Sequence, residues 1–144
     1  MLDTGTIRKL YELQCEAQYI LKTTSKIERK RRECLEVVSS LRTEEALLNS
    51  YPEGTLSPRE WKRARDDLRA SKATLKKRWQ ESEVALRKLK TTFSHMEKRL
   101  TGLRTLMKEQ AAELSNHHIN AKSELESTIR LIKVAIARIG IQEL

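Results

Sequence analysis

From Leu10 onward the apolar positions of this chain recur in alternating steps of three and four: Leu10, Leu13, Ala17, Ile20, Thr24, Ile27, Arg31, Cys34, Val38, Leu41, Glu45 and Leu48. Side chains at that spacing line one face of an α-helix, and the unbroken alternation is a heptad seam. A second series, Trp61, Arg65, Leu68, Lys72, Leu75, Trp79, Ser82, Leu86, Leu89, Phe93, Met96, Leu100 and Leu103, keeps the same rhythm. The polar members of the two seams weaken packing but fix register and oligomeric state.

Between the two seams the residue types change to those of a turn. Pro52 pushes Tyr51 out of the α region, and Gly54 permits a reversal, so the first helix is expected to end near Ser50. Ser57-Pro58-Arg59-Glu60 then offers a Ser N-cap, a Pro at the first helical position and a Glu spaced to return a capping-box bond. The predicted elements are helix 1 at about 7–50, a turn at 51–57 and helix 2 at about 58–101. At a rise of ~1.5 Å per residue each helix extends ~65 Å. Folded antiparallel about the turn, they bring Ile27 beside Ser82, Ala17 beside residues 90–92 and Ile7 beside Thr101.

Helix 1 would therefore run out near Gly102, which Leu103 follows in the order of a glycine C-cap with an apolar residue after it. Either the chain turns there and a third helix packs back, or helix 2 continues, since an interior glycine costs only about 1 kcal/mol. The apolar series itself slips by four residues after Met107, to Ala111, Leu114, His118, Ala121, Leu125, Thr128, Ile132, Ala135 and Ile139. A stutter and a bend both produce such a slip. The expected C-terminal helix covers about 104–139. In Thr128–Ile141 apolar side chains reach every face, as in a helix buried on more than one side. Ile129, Ile132, Ile136 and Ile139 are candidates for the core of the chain's own bundle, for self-association or for insertion into a partner.

Composition narrows the fold class without changing it. Four glycines and two prolines in 144 residues, with 34% charged side chains, favour helix over sheet or disorder. The expectation is one all-α domain over residues 1–144: a long antiparallel coiled-coil hairpin whose C-terminal helix either folds back as a third helix or extends helix 2. No apolar run approaches the ~18 residues of a spanning helix, and the N-terminal residues lack a secretion-signal pattern. A cytoplasmic location is expected. The run Lys26-Ile27-Glu28-Arg29-Lys30-Arg31-Arg32 also reads as a nuclear localisation signal, although Ile27 and Arg31 fall on the seam. Cys34 falls on the seam and Cys15 outside it, ~28 Å apart along a helix, so no disulfide within one chain is expected.

Charge changes the picture more. Residues 59–108 carry 16 basic and 6 acidic side chains, so this segment alone exceeds the chain's formal net charge of +9. Lys62, Arg65, Arg69, Lys72 and Lys76 form one stripe beside the apolar seam of helix 2. Glu44 and Glu45 of helix 1 lie near enough to answer two of the five, leaving an excess for a solvated face or an acidic partner. Nucleic acid is the less favoured partner, because aromatics are only 4% and no zinc finger, helix-turn-helix or RNA-recognition signature occurs. Trp61 and Trp79 occupy seam sites as core anchors, with Arg31 opposite Trp79 and placed to stack on its indole.

Candidate chemistry is sparse. The chain holds no phosphate-binding glycine loop, serine elbow or HExxH pair, and its histidines are His95, His117 and His118. Glu113 and His117 have the i, i+4 spacing of a weak metal pair, but ordinary surface histidines explain them. No catalytic, cofactor-binding or metal-binding residue is assigned. The expected structural residues are Ser57, Pro58, Glu60, Trp61, Trp79 and Gly102.

An opening helix such as Thr6-Ile7-Arg8-Lys9-Leu10-Tyr11-Glu12-Leu13, a reversal through Glu53-Gly54-Thr55-Leu56-Ser57 and a restart with Trp61 resemble the FliJ/YscO (SctO) stalk proteins of flagellar and type III secretion export. The likeness covers roughly residues 6–110 and lies in architecture and turn placement. It implies a non-enzymatic antiparallel coiled coil that inserts into the ring of the export ATPase, touches the export gate and handles chaperones. The alternative is a eukaryotic coiled-coil subunit of a kinetochore or another microtubule-associated complex, its basic helix meeting acidic tubulin tails and its apolar end entering a hetero-oligomeric bundle. A nucleic-acid-binding scaffold is the third reading.

Overall fold

The computed structural model describes residues 2–144, and these form α-helices without any strand: α1 (Thr4–Ser50), α2 (Pro58–Glu109) and α3 (Asn116–Gly140), with a 3-10 turn at Ala111–Glu113 before α3. The chain divides into two compact units. One holds Met1–Ile27 and Ala85–Gln142, the other Glu28–Val84 with Glu143–Leu144.

The second unit is an antiparallel helical hairpin. Its turn closes where Thr55 N donates to Pro52 O (3.1 Å), with Gly54 at φ +87°, a conformation that a β-carbon would strain. Ser57 caps α2 as its sequence demands: its Oγ accepts the Glu60 amide (3.2 Å) and its carbonyl accepts the Trp61 amide (2.9 Å). The return bond expected from the Glu60 carboxylate is not made among the described residues. Cys34, Leu41, Leu75 and Trp79 are buried together, with Leu35, Val38 and Leu68 packed against them. Trp79 is thus the anchor its seam position predicts, whereas Trp61 is only half-buried.

The first unit is a three-helix bundle. Its core joins Leu10, Leu13, Ala17 and Ile20 of α1 to Leu86, Phe93, Met96, Leu100 and Leu103 of α2, and to Leu125, Ile129, Ile132 and Ile139 of α3. Burying each of the leucine, isoleucine, phenylalanine and methionine side chains is worth about 1.5–3 kcal/mol. Tyr11–His117, Gln14–Glu124 and Gln18–Thr128 ascend together, so α3 runs parallel to α1. Arg104–Glu126 and Glu97–Lys133 run in opposite senses, so α3 is antiparallel to α2. The third helix folds back.

The reversal does not occur at Gly102. Helix α2 passes through that residue to Glu109, and the chain turns over Gln110–Ser115, where Ser115 Oγ accepts the His118 amide (3.3 Å) and caps α3. Register explains the difference. Expectation set Ser82 beside Ile27 and Ile7 beside Thr101; instead Ser82 meets Arg31, Glu16 pairs with Arg99 and the Asp3 amide donates to Gln110 Oε1 (3.1 Å). The pairing is displaced by about one turn and α1 begins at Thr4, so α2 keeps a neighbour until residue 110. The apolar slip after Met107 marks this bend.

Polar seam residues are satisfied locally. Thr24 Oγ1 donates to Leu21 O (2.6 Å) and Thr128 Oγ1 to Glu124 O (3.0 Å), so both hydroxyls are buried at little cost. Asp3 opens α1 by accepting the Gly5 amide at 2.8 Å, and this bond holds its carboxyl below the usual range.

Candidate interaction surface

In the hairpin unit the heptad that buries Leu75 and Trp79 leaves two flanks of α2 facing outward, and the residue types on them differ. On one flank lie Lys62, Arg65, Arg69, Lys72 and Lys76, all exposed. Lys72 Nζ donates to Glu45 Oε2 at 2.7 Å. That hydrogen bond, then the Lys72 charge and that of Arg65, hold the Glu45 carboxyl below its usual value. Both partners are nearly half-exposed, so solvent screens the pair and it adds little stability. The Arg65 guanidinium lies 5.9 Å from the Trp61 ring centroid. Lys62, Arg69 and Lys76 form no ion pair among the described residues.

Glu44 does not answer the stripe. It lines the other flank, in a cleft with Leu47, Tyr51, Leu56, Glu60, Asp67 and Leu68, and no lysine or arginine is among the lining residues. Glu60, Ala64, Asp67 and Ser71 step by four, three and four, which places them on one face of α2. The charge total of the helix hides this acidic face; only separating its flanks by helical spacing brings it out. Leu47 and Tyr51 are 54% and 47% exposed, large apolar surface at a site rimmed by carboxylates. Trp61 lines an adjacent cleft with Tyr51, Pro52, Leu56 and Pro58.

In the three-helix unit, the isoleucines assigned to core, assembly or partner binding go to the core. Ile129, Ile132 and Ile139 are buried and Ile136 packs against them, so they are not a surface for a partner in this structure. The large apolar side chains of α3 exposed to solvent are Ile119, Leu131 and Val134, with Ile141 just beyond its end. The sequence pattern showed apolar residues on every face without ranking them; the positions of α1 and α2 make that choice. Gly102 lies within α2 in a groove lined by Leu13, Leu103 and Leu106, and a β-carbon there would meet nothing within 4 Å.

The histidine cluster is held by hydrogen bonds. His117 Nε2 is 2.7 Å from Tyr11 Oη, and His118 Nδ1 is 2.9 Å from Ser115 Oγ. Among the described residues no group of three or more His, Cys, Asp or Glu is placed to hold a metal ion, and no helix is long and apolar enough to cross a membrane. Cys34 is buried and Cys15 exposed, both as thiols.

Comparison with protein-family models, with curated proteins and with solved structures gives no match.

Proposed function

We propose that this chain is a non-enzymatic coiled-coil interaction protein, a stalk or adaptor subunit that docks an acidic protein surface on the basic flank of its hairpin. The observation that carries this reading is the stripe Lys62, Arg65, Arg69, Lys72 and Lys76: five exposed cations on one face, of which only Lys72 has an ion pair among the described residues. Such an excess raises association rates with acidic partners and gives them register, and a rigid helix presents it at fixed spacing. The antiparallel pairing of two helices of 47 and 52 residues suits the export-stalk reading, in which the partner is the ring of a type III secretion or flagellar export ATPase.

The test is affinity purification of the tagged chain from its native cell, with mass spectrometry, for the wild type and for a variant carrying Glu at all five stripe positions. An export ATPase captured by the wild type and lost from an equally helical variant supports the proposal. Equal capture by both chains refutes the stripe as the docking surface, and tubulin or RNA recovered in place of an ATPase refutes the export reading.

A further inference from the structure

We infer that the acidic flank of the hairpin is a second docking site, one that takes an amphipathic segment of another protein carrying an apolar side chain flanked by lysines or arginines. The cleft has an open volume of about 430 Å³ between the end of α1 and the start of α2. Leu47, Tyr51, Leu56 and Leu68 supply its apolar surface, and Glu44, Glu60 and Asp67 its rim. Exposed leucine and tyrosine at one place, ringed by charge, form the type of patch that marks a protein contact. The sign of that charge selects the occupant.

Helix α2 carries sixteen cations over residues 59–108, yet the cleft is lined by three carboxylates and by no cation. The nearest by helical register is Arg63, three residues from Glu60 and four from Asp67, and it does not line the cleft. A cationic amphipathic helix meets all three demands: its apolar residue covers Leu47 and Tyr51, its cations pair with the rim, and it is repelled by the stripe on the other flank. The two flanks then bind partners of opposite sign, and the outcome here is independent of the stripe.

Fluorescence anisotropy on the full chain tests this with a labelled 14-residue helix of lysine and leucine, leucines at i, i+3, i+4 and i+7, and with its glutamate-for-lysine counterpart. The lysine peptide should bind saturably. Its affinity should fall at least tenfold in Leu47→Ser with Tyr51→Ala, and likewise in Glu44→Gln with Asp67→Asn. A charge-matched control, Glu12→Gln with Glu109→Gln, should leave it within twofold, and neutral Gln substitutions along the stripe should not weaken it. All variants should keep wild-type helicity by circular dichroism, the altered side chains being exposed. No binding, equal binding by the cleft variants, or an equal loss in the control overturns the inference. So does sedimentation showing a dimer of the wild type that Leu47→Ser with Tyr51→Ala converts to monomer, since the occupant would then be a second copy.

Discussion

The guanidinium of Arg31 lies 4.5 Å from the centroid of the Trp79 ring, so the one cation on the α1 seam faces the buried tryptophan of the α2 seam. Its Nε donates to Ser82 Oγ at 3.0 Å, and that hydroxyl in turn donates to Trp79 O at 2.6 Å. Trp79 Nε1 donates to Glu83 Oε1 at 3.1 Å. Burial pulls the Arg31 pKa below the usual guanidinium value, while the Glu83 charge acts in the opposite sense. A buried cation bonded across the seam specifies register more than it adds stability.

Replacing Arg31 by Ala should therefore destabilise the chain by about 2–3 kcal/mol through the lost stem packing and the lost bond to Ser82. Replacing it by Met, which refills the volume and leaves Ser82 its bond to Trp79 O, should cost less than half as much. Urea denaturation of the two variants checks the order, and equal losses would count against packing as the larger contribution.

Gly102→Ala should stabilise α2 by about 1 kcal/mol, because alanine is the better helix former and the added carbon meets no atom. The measurement is the urea midpoint at unchanged slope. A lower midpoint would show that the groove beside Leu103 and Leu106 does not accept a methyl group.

Arg104 holds Glu126 through two hydrogen bonds, at 2.7 and 2.6 Å. The hydrogen bond is the main reason the Glu126 carboxyl titrates below its ordinary value of 4.5. A carboxyl depressed in the folded state contributes stability that is fully present above its unfolded pKa and is lost as pH falls through the folded one. Thermal stability should fall as pH drops below about 4.5. Glu126→Gln should flatten that fall and lower the melting temperature at pH 7, with the two chains converging once the pH is below the folded-state value. Parallel curves would refute the assignment.

Ile132→Ala should cost about 2–5 kcal/mol, since Ile132 is fully buried at the core of the three-helix unit. Val134→Ala, at 59% exposure on the same helix, should stay within about 0.5 kcal/mol. Chemical denaturation of both variants tests whether α3 is a packed core element; similar small effects would show that it is not. Deleting residues 128–144 should then expose the α1 and α2 seams and change the mass seen in light scattering.

Helix termini and core were legible where the cue is local. Pro52, Gly54 and the Ser57 cap act through backbone geometry within a few residues, so the turn between α1 and α2 follows from the sequence. Heptad spacing likewise named much of the buried face of each helix, down to Ala121, Leu125 and Ile132 after the phase slip, whereas the seam sites Arg65, Lys72 and Ala111 are exposed and Trp61 is only half-buried. Gly102 misled because a glycine permits a stop without requiring one. What ends α2 is the loss of its neighbour at Asp3–Gln110, a contact between residues more than a hundred positions apart.

The sequence by itself thus determined the all-helical fold, the antiparallel turn between α1 and α2 and the position of the basic stripe, all consequences of local spacing and turn chemistry. The stacking of Arg31 on Trp79 was legible in the same spacing. Only the tertiary structure decided the exact register, because a one-turn displacement leaves the heptad pattern unchanged and is settled by which side chains meet, Arg31 with Ser82 and Glu16 with Arg99 among them. It alone also sent the isoleucines of α3 inward and Glu44 to the side of Glu60 and Asp67, since burial and charge balance depend on the neighbouring helix.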